Sequence, residues 1–192
     1  LSAIGNTPLV PMPSISSGHS AVIWGKCEHL NPGGSVKDRI ALAIVERAEA
    51  EGVIKPGDTL VEATAGNTGM GLAIVAAIRG YKLICVMPEK MSVDKRQALR
   101  AMGAEVVITD NVPPGDPRHF QQVAQRIAAQ RPGCFWTDQF GNAANPEVHA
   151  LTTAKELWEQ SEGNISAFVT GVGTGGTITG VGRALKRLNP NI

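Results

Sequence analysis

Strand-like and helix-like segments alternate along most of this chain, and no other feature constrains its fold as strongly. Short apolar runs predict strands, and runs with apolar residues three or four positions apart predict the helices between them. The predicted strands are 59–64, 82–88, 104–109, 134–136 and 165–172, and the predicted helices are 36–52, 68–80, 94–103, 118–130, 150–160 and 177–189. Strands joined through helices build βαβ units, whose right-handed crossovers give a parallel sheet with helices on both faces. The sequence therefore predicts an α/β fold.

Turn residues mark the ends of these segments. Gly80 follows the second predicted helix and is expected to be its C-cap. Residues 110–119 contain three prolines and a glycine, which can continue neither a helix nor a strand. We expect this stretch to form a surface loop.

Composition and charge argue against several classes of protein. The 192 residues carry a formal net charge of +1 at pH 7 and no run of like charges, so binding to nucleic acid or to an anionic membrane is not expected. No stretch reaches the roughly 20 apolar residues of a membrane span, and no basic and then apolar leader opens the sequence. The three cysteines, Cys27, Cys85 and Cys134, lack the spacing of metal ligands and favour a reducing compartment. A cytoplasmic protein without a bound metal is predicted.

One lysine occupies a position that helices normally disfavour for a cation. In residues 31–39 (NPGGSVKDR), Ser35 and Asp38 have the spacing of a capping box. The helix is therefore expected to start near Val36, with Lys37 in its first turn. The helix dipole and partial burial would both lower the pKa of this amine and increase the fraction able to attack a carbonyl carbon. Lys37 is a candidate Schiff-base lysine, although an exposed lysine fits this segment, taken alone, equally well.

Two glycine-containing turns precede other predicted helices. Residues 171–177 (GVGTGGT) allow several backbone N–H groups to converge on a phosphate at a helix N-terminus. Residues 62–71 (EATAGNTGMG) place hydroxyl and amide groups beside another N-terminus, where they suit a carboxylate. Together with an activated lysine, the two turns indicate a phosphorylated aldehyde cofactor and an amino-acid substrate.

Two functions from other classes remain open. Gly171, Gly173 and Gly176 satisfy the G-x-G-x-x-G pattern of dinucleotide-binding folds, which suggests an NAD(P)-dependent oxidoreductase. That fingerprint also wants a following strand and an acidic residue about 20 positions later, and this sequence has neither. The other alternative is an inactive binding protein that retains the fold.

Five motifs, taken in order, resemble one family. They are NPGGSVKDR, EATAGNTGMGLA, VMPEKMS, DQFGNAANPEVH and GVGTGGTITG. Their order and intervals resemble the cysteine synthase and cystathionine β-synthase family of pyridoxal-phosphate enzymes over nearly the whole chain. The resemblance implies a fold-type II architecture like that of the tryptophan synthase β subunit, with two three-layer α/β lobes and pyridoxal 5′-phosphate between them. It implies a smaller mobile lobe at 39–140 and a larger cofactor-binding lobe from 1–38 and 141–192, the larger lobe being truncated in this chain.

The resemblance also implies roles for individual residues. Lys37 would hold the cofactor as a Schiff base and then remove the substrate's α-proton. Asn67 would contact the ring hydroxyl and lie beside the substrate. The phosphate would be bound by Gly173, Thr174, Gly175, Gly176 and Thr177, and the substrate by Thr64, Ala65, Thr68 and Gln139.

Two departures from the family pattern concern this site. Ala65 stands where many relatives have serine, so one hydroxyl near the substrate's α-carbon is missing. The residue with which relatives contact the pyridine nitrogen lies in a segment that these 192 residues lack. The site is therefore expected to be incomplete in this chain.

The activity that the resemblance implies is β-replacement. Serine or O-acetylserine would react with a thiol to form cystathionine, as in cystathionine β-synthases. The alternative is a cysteine synthase, which forms cysteine from O-acetylserine and sulfide. A homodimer acting on these small molecules is expected.

Overall fold

This computed structural model describes residues 1–18, 20–64 and 66–192. These residues contain six strands and eight α-helices. The strands are β1 (Leu9–Pro11), β2 (Trp24–Lys26), β3 (Thr59–Ala63), β4 (Lys82–Pro88), β5 (Glu105–Thr109) and β6 (Cys134–Trp136). The helices are α1 (Pro13–Ser16), α2 (Lys37–Ala50), α3 (Asn67–Arg79), α4 (Val93–Ala101), α5 (Phe120–Gln130), α6 (Ala144–Val148), α7 (Ala154–Gln160) and α8 (Gly176–Leu188). A 3₁₀ turn covers Glu28–Leu30, and a π-helical turn at His149–Thr153 joins α6 to α7.

A four-stranded parallel sheet forms the centre of the chain. Its strand order is β5-β4-β3-β6, so β3 is paired on both sides. The register places Glu62 of β3 opposite Cys85 of β4, and Val61 opposite Trp136 of β6. This arrangement confirms the predicted α/β class with a parallel sheet. A separate antiparallel pair is formed by β1 and β2.

Helices cover both faces of the parallel sheet. On one face, α2, α3 and α4 form a buried cluster with Leu60 and Leu83. On the other face, α5 packs against Val61 and Ile84. Consecutive residues such as Leu60 and Val61 are buried on opposite faces, as the period of two in a strand requires. Both faces being covered explains why the strands are apolar runs rather than alternating ones.

A further hydrophobic cluster lies outside the sheet. It joins α7 and α8 through Ala154, Leu157, Val181 and Leu185, with Leu9 of β1 packed against it. The division into lobes at 1–38, 39–140 and 141–192 stays a prediction. Among the described residues, no helix combines the length and apolar character needed to cross a membrane.

The helical predictions are confirmed, with boundaries that differ by one or two residues except at the helix predicted at 150–160. Gly80 is the C-cap of α3 in a left-handed conformation, with φ of 77°, and residues 110–119 form a loop as expected. Helix α2 begins at Lys37 rather than near Val36. The helix predicted at 150–160 begins earlier, at Ala144, because the side chain of Asn142 accepts a hydrogen bond from the Ala144 N–H at 3.0 Å. Proline at 146 fits there, since the first turn of a helix needs no N–H donor.

The predicted strand at 165–172 is wrong. These residues form neither helix nor strand, and the Val169 and Val172 side chains are 89% and 73% exposed. No strand among the described residues lies beside the segment, so its backbone has no ladder of hydrogen bonds to join. A short apolar run needs such a neighbour to be held as a strand.

Candidate active site

Three helices begin at residues that the sequence assigns to one site. Lys37 is the first residue of α2, Asn67 of α3 and Gly176 of α8. The first turn of each helix leaves backbone N–H groups without intrahelical partners, which favours anions at that end. Each of the three predicted segments therefore lies at a helix N-terminus, and their joint role in one site stays a prediction.

Lys37 is half-buried at the start of α2. Its backbone N–H donates to the Ser35 hydroxyl at 3.1 Å, whereas the predicted capping box pairs that hydroxyl with the Asp38 N–H, so this half of the prediction is wrong. Burial lowers the pKa of the Lys37 ammonium, while the negative charge of Glu28 opposes the shift. The predicted lowering of this pKa is confirmed, and burial is its main cause.

The hydrogen bond that the capping box predicts for the Asp38 carboxylate is also wrong. The Asp38 carboxylate accepts a hydrogen bond from the N–H of Gly33, not from that of Ser35. Any Cβ at Gly33 would lie 2.4 Å from an Asp38 oxygen, and Gly34 has φ of 78°, a conformation that favours glycine. The two glycines before Lys37 are therefore required by this tight loop.

A buried ionic cluster holds α2 against the rest of the chain. The Arg39 guanidinium, 2% exposed, pairs with Glu28 at 2.7 Å and with Glu156 at 2.6 Å. Lys26 also pairs with Glu156 at 2.6 Å. Although burial opposes it, hydrogen bonding from Arg39 and Lys26 lowers the pKa of Glu156 to about 2. Segments before β3 and after β6 are thereby fixed beside the lysine-bearing helix.

The turn before α3 brings two predicted substrate residues into contact. The Thr68 hydroxyl donates to the Gln139 side-chain oxygen at 2.6 Å, and both residues are buried. The buried Thr64 hydroxyl accepts from the N–H of Gly66 at 3.2 Å, and Asn67 is exposed. Ala65, also predicted here, lies outside the described residues.

The glycine-rich turn before α8 is open on one side and tightly packed on the other. A Cβ added at Gly173 or Gly175 would meet no atom within 4 Å, and Gly175 has φ of 82°. A Cβ at Gly176 would lie 1.9 Å from the side-chain oxygen of Asn145. A cavity of about 120 Å³ borders the turn and is lined by Thr174, Gly175, Gly176, Thr179 and residues 140–146 except Ala144.

Asn145, which the sequence reasoning did not single out, links the two turns. Its side-chain amide donates to the Gln139 carbonyl at 2.8 Å and to the Thr174 hydroxyl at 2.9 Å. The residues predicted for the substrate and those predicted for the phosphate are therefore joined by one buried side chain. Asn145 lies inside the motif DQFGNAANPEVH, but nothing in that motif alone indicates its partners.

His149 was also missed by the sequence reasoning. The buried imidazole hydrogen-bonds the Thr177 hydroxyl at 3.2 Å through Nε2 and the Thr153 hydroxyl at 3.0 Å through Nδ1. Burial, assisted by the charges of Lys37 and Arg39, lowers the pKa of His149 to about 4. Its ring is therefore neutral near pH 7 and holds the Thr177 hydroxyl in place by this hydrogen bond. A single histidine within a helix is not a specific signal in a sequence.

These residues fit a phosphorylated aldehyde. The chemistry of the donor set matches one, because a half-buried amine of lowered pKa can react with an aldehyde and the open glycine turn can receive a phosphate. A dinucleotide suits the turn less well, since the described segment before it is not the strand that such a fold requires.

Comparisons with known proteins agree with this chemistry. The profile of a family described as "Pyridoxal-phosphate dependent enzyme" matches residues 1–192. A cystathionine beta-synthase of Apis mellifera is 50% identical over 195 residues, and the match covers 100% of this chain and 39% of that protein. A cysteine synthase of Staphylococcus aureus is 52% identical over 191 residues, covering 98% of this chain and 60% of that protein.

Solved structures show the same likeness. A crystal structure of O-ureido-L-serine synthase matches 100% of this chain with a TM-score of 0.93 and 42% identity, and the match covers 60% of that chain. A hydrogen sulfide-producing enzyme of Fusobacterium nucleatum matches with a TM-score of 0.89 and 40% identity, covering 62% of that chain. These structures confirm the predicted fold class, and the chain spans less than two thirds of each.

Proposed function

Because the chain belongs to the family of pyridoxal-phosphate dependent enzymes, we propose that Lys37 carries pyridoxal phosphate and that the protein catalyses β-replacement. The reaction joins serine or O-acetylserine to the thiol homocysteine, forms cystathionine and releases water or acetate. The observation that carries the proposal is the Asn145 side chain, which links the carboxylate-binding segment to the phosphate-binding turn. Homodimer assembly and a cytoplasmic location stay predictions.

When bound, the cofactor supplies an electron sink that stabilises negative charge on the substrate's α-carbon. The Lys37 amine, with its lowered pKa, would hold the aldehyde and, once the substrate's amine has displaced it, would accept the α-proton. Gly173, Thr174, Gly175, Gly176 and Thr177 would hold the phosphate, and Asn67 would contact the ring hydroxyl. The backbone N–H groups at the start of α8 favour the phosphate charge.

The substrate carboxylate binds at the turn before α3 in this proposal. Because the Thr68 hydroxyl already donates to the Gln139 side-chain oxygen, the Gln139 amide group is directed away from Thr68. That amide donates one N–H to the Ala63 carbonyl at 3.4 Å, and its second N–H and the free N–H groups of the first turn of α3 are donors suited to a carboxylate. Thr64 is assigned to the same carboxylate, and Ala65 keeps the substrate-binding role that the sequence predicts.

Cysteine synthase activity is the second candidate. The Staphylococcus aureus cysteine synthase is slightly more similar than the Apis mellifera cystathionine beta-synthase, at 52% against 50% identity. The two activities differ in leaving group and in nucleophile. Turnover measured with serine and with O-acetylserine, each against sulfide and homocysteine, separates them.

The attachment of the cofactor is tested by Lys37→Ala. The full chain, incubated with pyridoxal phosphate and reduced with borohydride, should carry one cofactor on the peptide that contains Lys37. The variant should lose both this label and the visible absorption band, because Lys37 is the lysine that lies at one of the three helix starts. Lys95→Ala is the matched control, since Lys95 lies in the first turn of α4 but is exposed. An unchanged label in Lys37→Ala would contradict the assignment.

A further inference from the structure

A carboxylic acid is fully buried in the central sheet, and the proposed function does not use it. Glu62 is the fourth of the five residues of β3 and is 0% exposed. Glutamate is rarely buried completely unless its charge is paired. No cationic side chain hydrogen-bonds to Glu62 among the described residues, and the charge that acts on its pKa is that of Asp138, another acid. Its retention in the sheet therefore calls for a specific role.

Both long-range hydrogen bonds of the Glu62 side chain lead to one segment. Its Oε2 accepts from the Thr137 hydroxyl at 2.6 Å and from the Gln139 backbone N–H at 3.1 Å. These two residues follow β6, which is an edge strand of the sheet. One oxygen on β3 thus fixes the chain where it leaves the sheet.

The surroundings of the Glu62 carboxyl group are apolar, which makes its ionised form unfavourable. Glu62 faces Cys85 across the β3–β4 pair, and its Oε1 has no hydrogen-bond partner among the described residues. Burial, assisted by Asp138, raises the pKa of Glu62 to about 7, against the opposing hydrogen bonds from Thr137 and Gln139. A buried polar atom without a partner destabilises a fold, so the acid contributes little to stability beyond these two bonds.

We propose that Glu62 is the positioning residue for the substrate carboxylate, acting through Gln139. It fixes the Gln139 backbone, while Thr68 fixes the side chain and Asn145 binds the carbonyl. With its side-chain amide donating to the Ala63 carbonyl at 3.4 Å, Gln139 is therefore held at four points, and Glu62 is the side chain of β3 among them. This inference rests on the proposed function, in which Gln139 binds the α-carboxylate of an amino acid.

The geometry predicts which substitutions preserve this role. Both donors converge on a single oxygen, so the side-chain oxygen of Glu62→Gln can accept both bonds. Alanine offers no acceptor, and the shorter aspartate withdraws its oxygens by one carbon. We expect glutamate and glutamine at position 62 to hold Gln139 best, aspartate to hold it less well and alanine to hold it least.

The experiment has two measurements on the full chain. Residue-resolved amide exchange reports the Gln139 N–H directly and requires neither cofactor nor activity. Titration of the cofactor-loaded chain with L-serine, followed by absorbance, reports substrate binding. Glu62→Ala should speed the exchange of Gln139 and weaken the apparent affinity for L-serine by about 10-fold each, the effect of one or two lost hydrogen bonds. Glu62→Gln should stay within about threefold of the native chain in both.

Leu60→Ala is the matched control. Leu60 is buried on the same face of β3, two residues before Glu62, so its truncation costs stability without touching Thr137 or Gln139. Equal losses of L-serine affinity in Leu60→Ala and Glu62→Ala would overturn the proposal. So would a Glu62→Gln variant as weak as Glu62→Ala.

The proposal stays testable if Glu62→Ala does not fold and if the native chain binds no cofactor. If Glu62→Ala does not fold, Thr137→Val removes one donor and should give a smaller change in the same direction, and no change in Gln139 exchange would overturn the proposal. If the native chain takes up no cofactor, the proposed function fails, while the exchange comparison still decides whether Glu62 positions Gln139.

Discussion

The two turns that precede α3 and α8 carry similar sequences but are fixed from opposite sides. The turn before α3 follows β3, a strand paired on both sides and buried in the sheet. The turn at residues 171–177 follows a segment without strand structure, in which Val172 is 73% exposed. It is held instead by Asn145 and His149, which lie on the helical segment packed against α8. An anion-binding turn can therefore be fixed by the strand before it or by the helices behind it.

The requirement for glycine differs accordingly. Behind the second turn, a Cβ at Gly180 would lie 2.0 Å from the Pro146 carbonyl oxygen, so α8 and α6 meet through their backbones. At the first turn, a Cβ at Gly69 would meet the flexible side chain of Leu99 at 3.0 Å. Side-chain neighbours can shift, whereas backbone neighbours cannot shift without moving a helix.

The largest effect is expected for Gly180→Ala. The added methyl group forces α8 away from α6 and should destabilise the chain by roughly 3 kcal/mol or more, in the upper range of overpacking. Urea denaturation measures the change. Gly182→Ala is the control on the same helix, because a Cβ there meets no atom within 4 Å. It should stabilise the helix by about 0.5–1 kcal/mol. Equal stabilities for the two variants would show that α8 is not held by this backbone contact.

Asn145→Ala should loosen both turns at once. The substitution removes the hydrogen bonds to the Gln139 carbonyl and the Thr174 hydroxyl and leaves both acceptors in a buried region. We expect a loss of about 2 kcal/mol in the free energy of unfolding. Phosphate and L-serine should both bind more weakly, whereas Glu62→Ala should affect L-serine alone. Asn164→Ala, at an exposed position, is the control. An effect confined to one turn would show that Asn145 does not couple them.

The smallest effect concerns pH and tests the support of the second turn by His149. The folded imidazole has a pKa of about 4, against an ordinary value of 6.5, so the unfolded chain takes up a proton in this window and the folded chain does not. Stability from the neutral ring is therefore present above pH 6.5 and lost as the pH falls towards 4. Between about pH 7 and pH 5.5, the native chain should lose about 1 kcal/mol relative to His149→Gln.

The comparison with His149→Gln also cancels the contribution of Glu62 to the pH dependence of stability, which has the opposite sign to that of His149. Glu62 has a raised pKa of about 7, so its folded form takes up a proton first and gains stability as the pH falls. Both chains contain Glu62, and its contribution cancels in the difference. Parallel stability curves for the two chains would show that His149 is not held neutral.

The sequence by itself determined the parallel α/β sheet, most helix limits and the position of the three helix starts. Strand β4 occupies the predicted residues 82–88, and Gly80 ends α3 as expected, because apolar periodicity and glycine caps act over a few neighbouring residues. The lowered pKa of Lys37 could be predicted for the same reason, since the helix start and partial burial follow from the local pattern.

Only the tertiary structure decided how the site is held together. The run at 165–172 has a strand-like pattern, but it lacks a neighbouring strand among the described residues and stays irregular. Asn145 reaches Thr174, 29 positions away, and Glu62 reaches Gln139, 77 positions away. A local pattern shows that a side chain is polar and that its surroundings are apolar. Which buried donor meets which acceptor depends on segments that only the packing of the whole chain brings together.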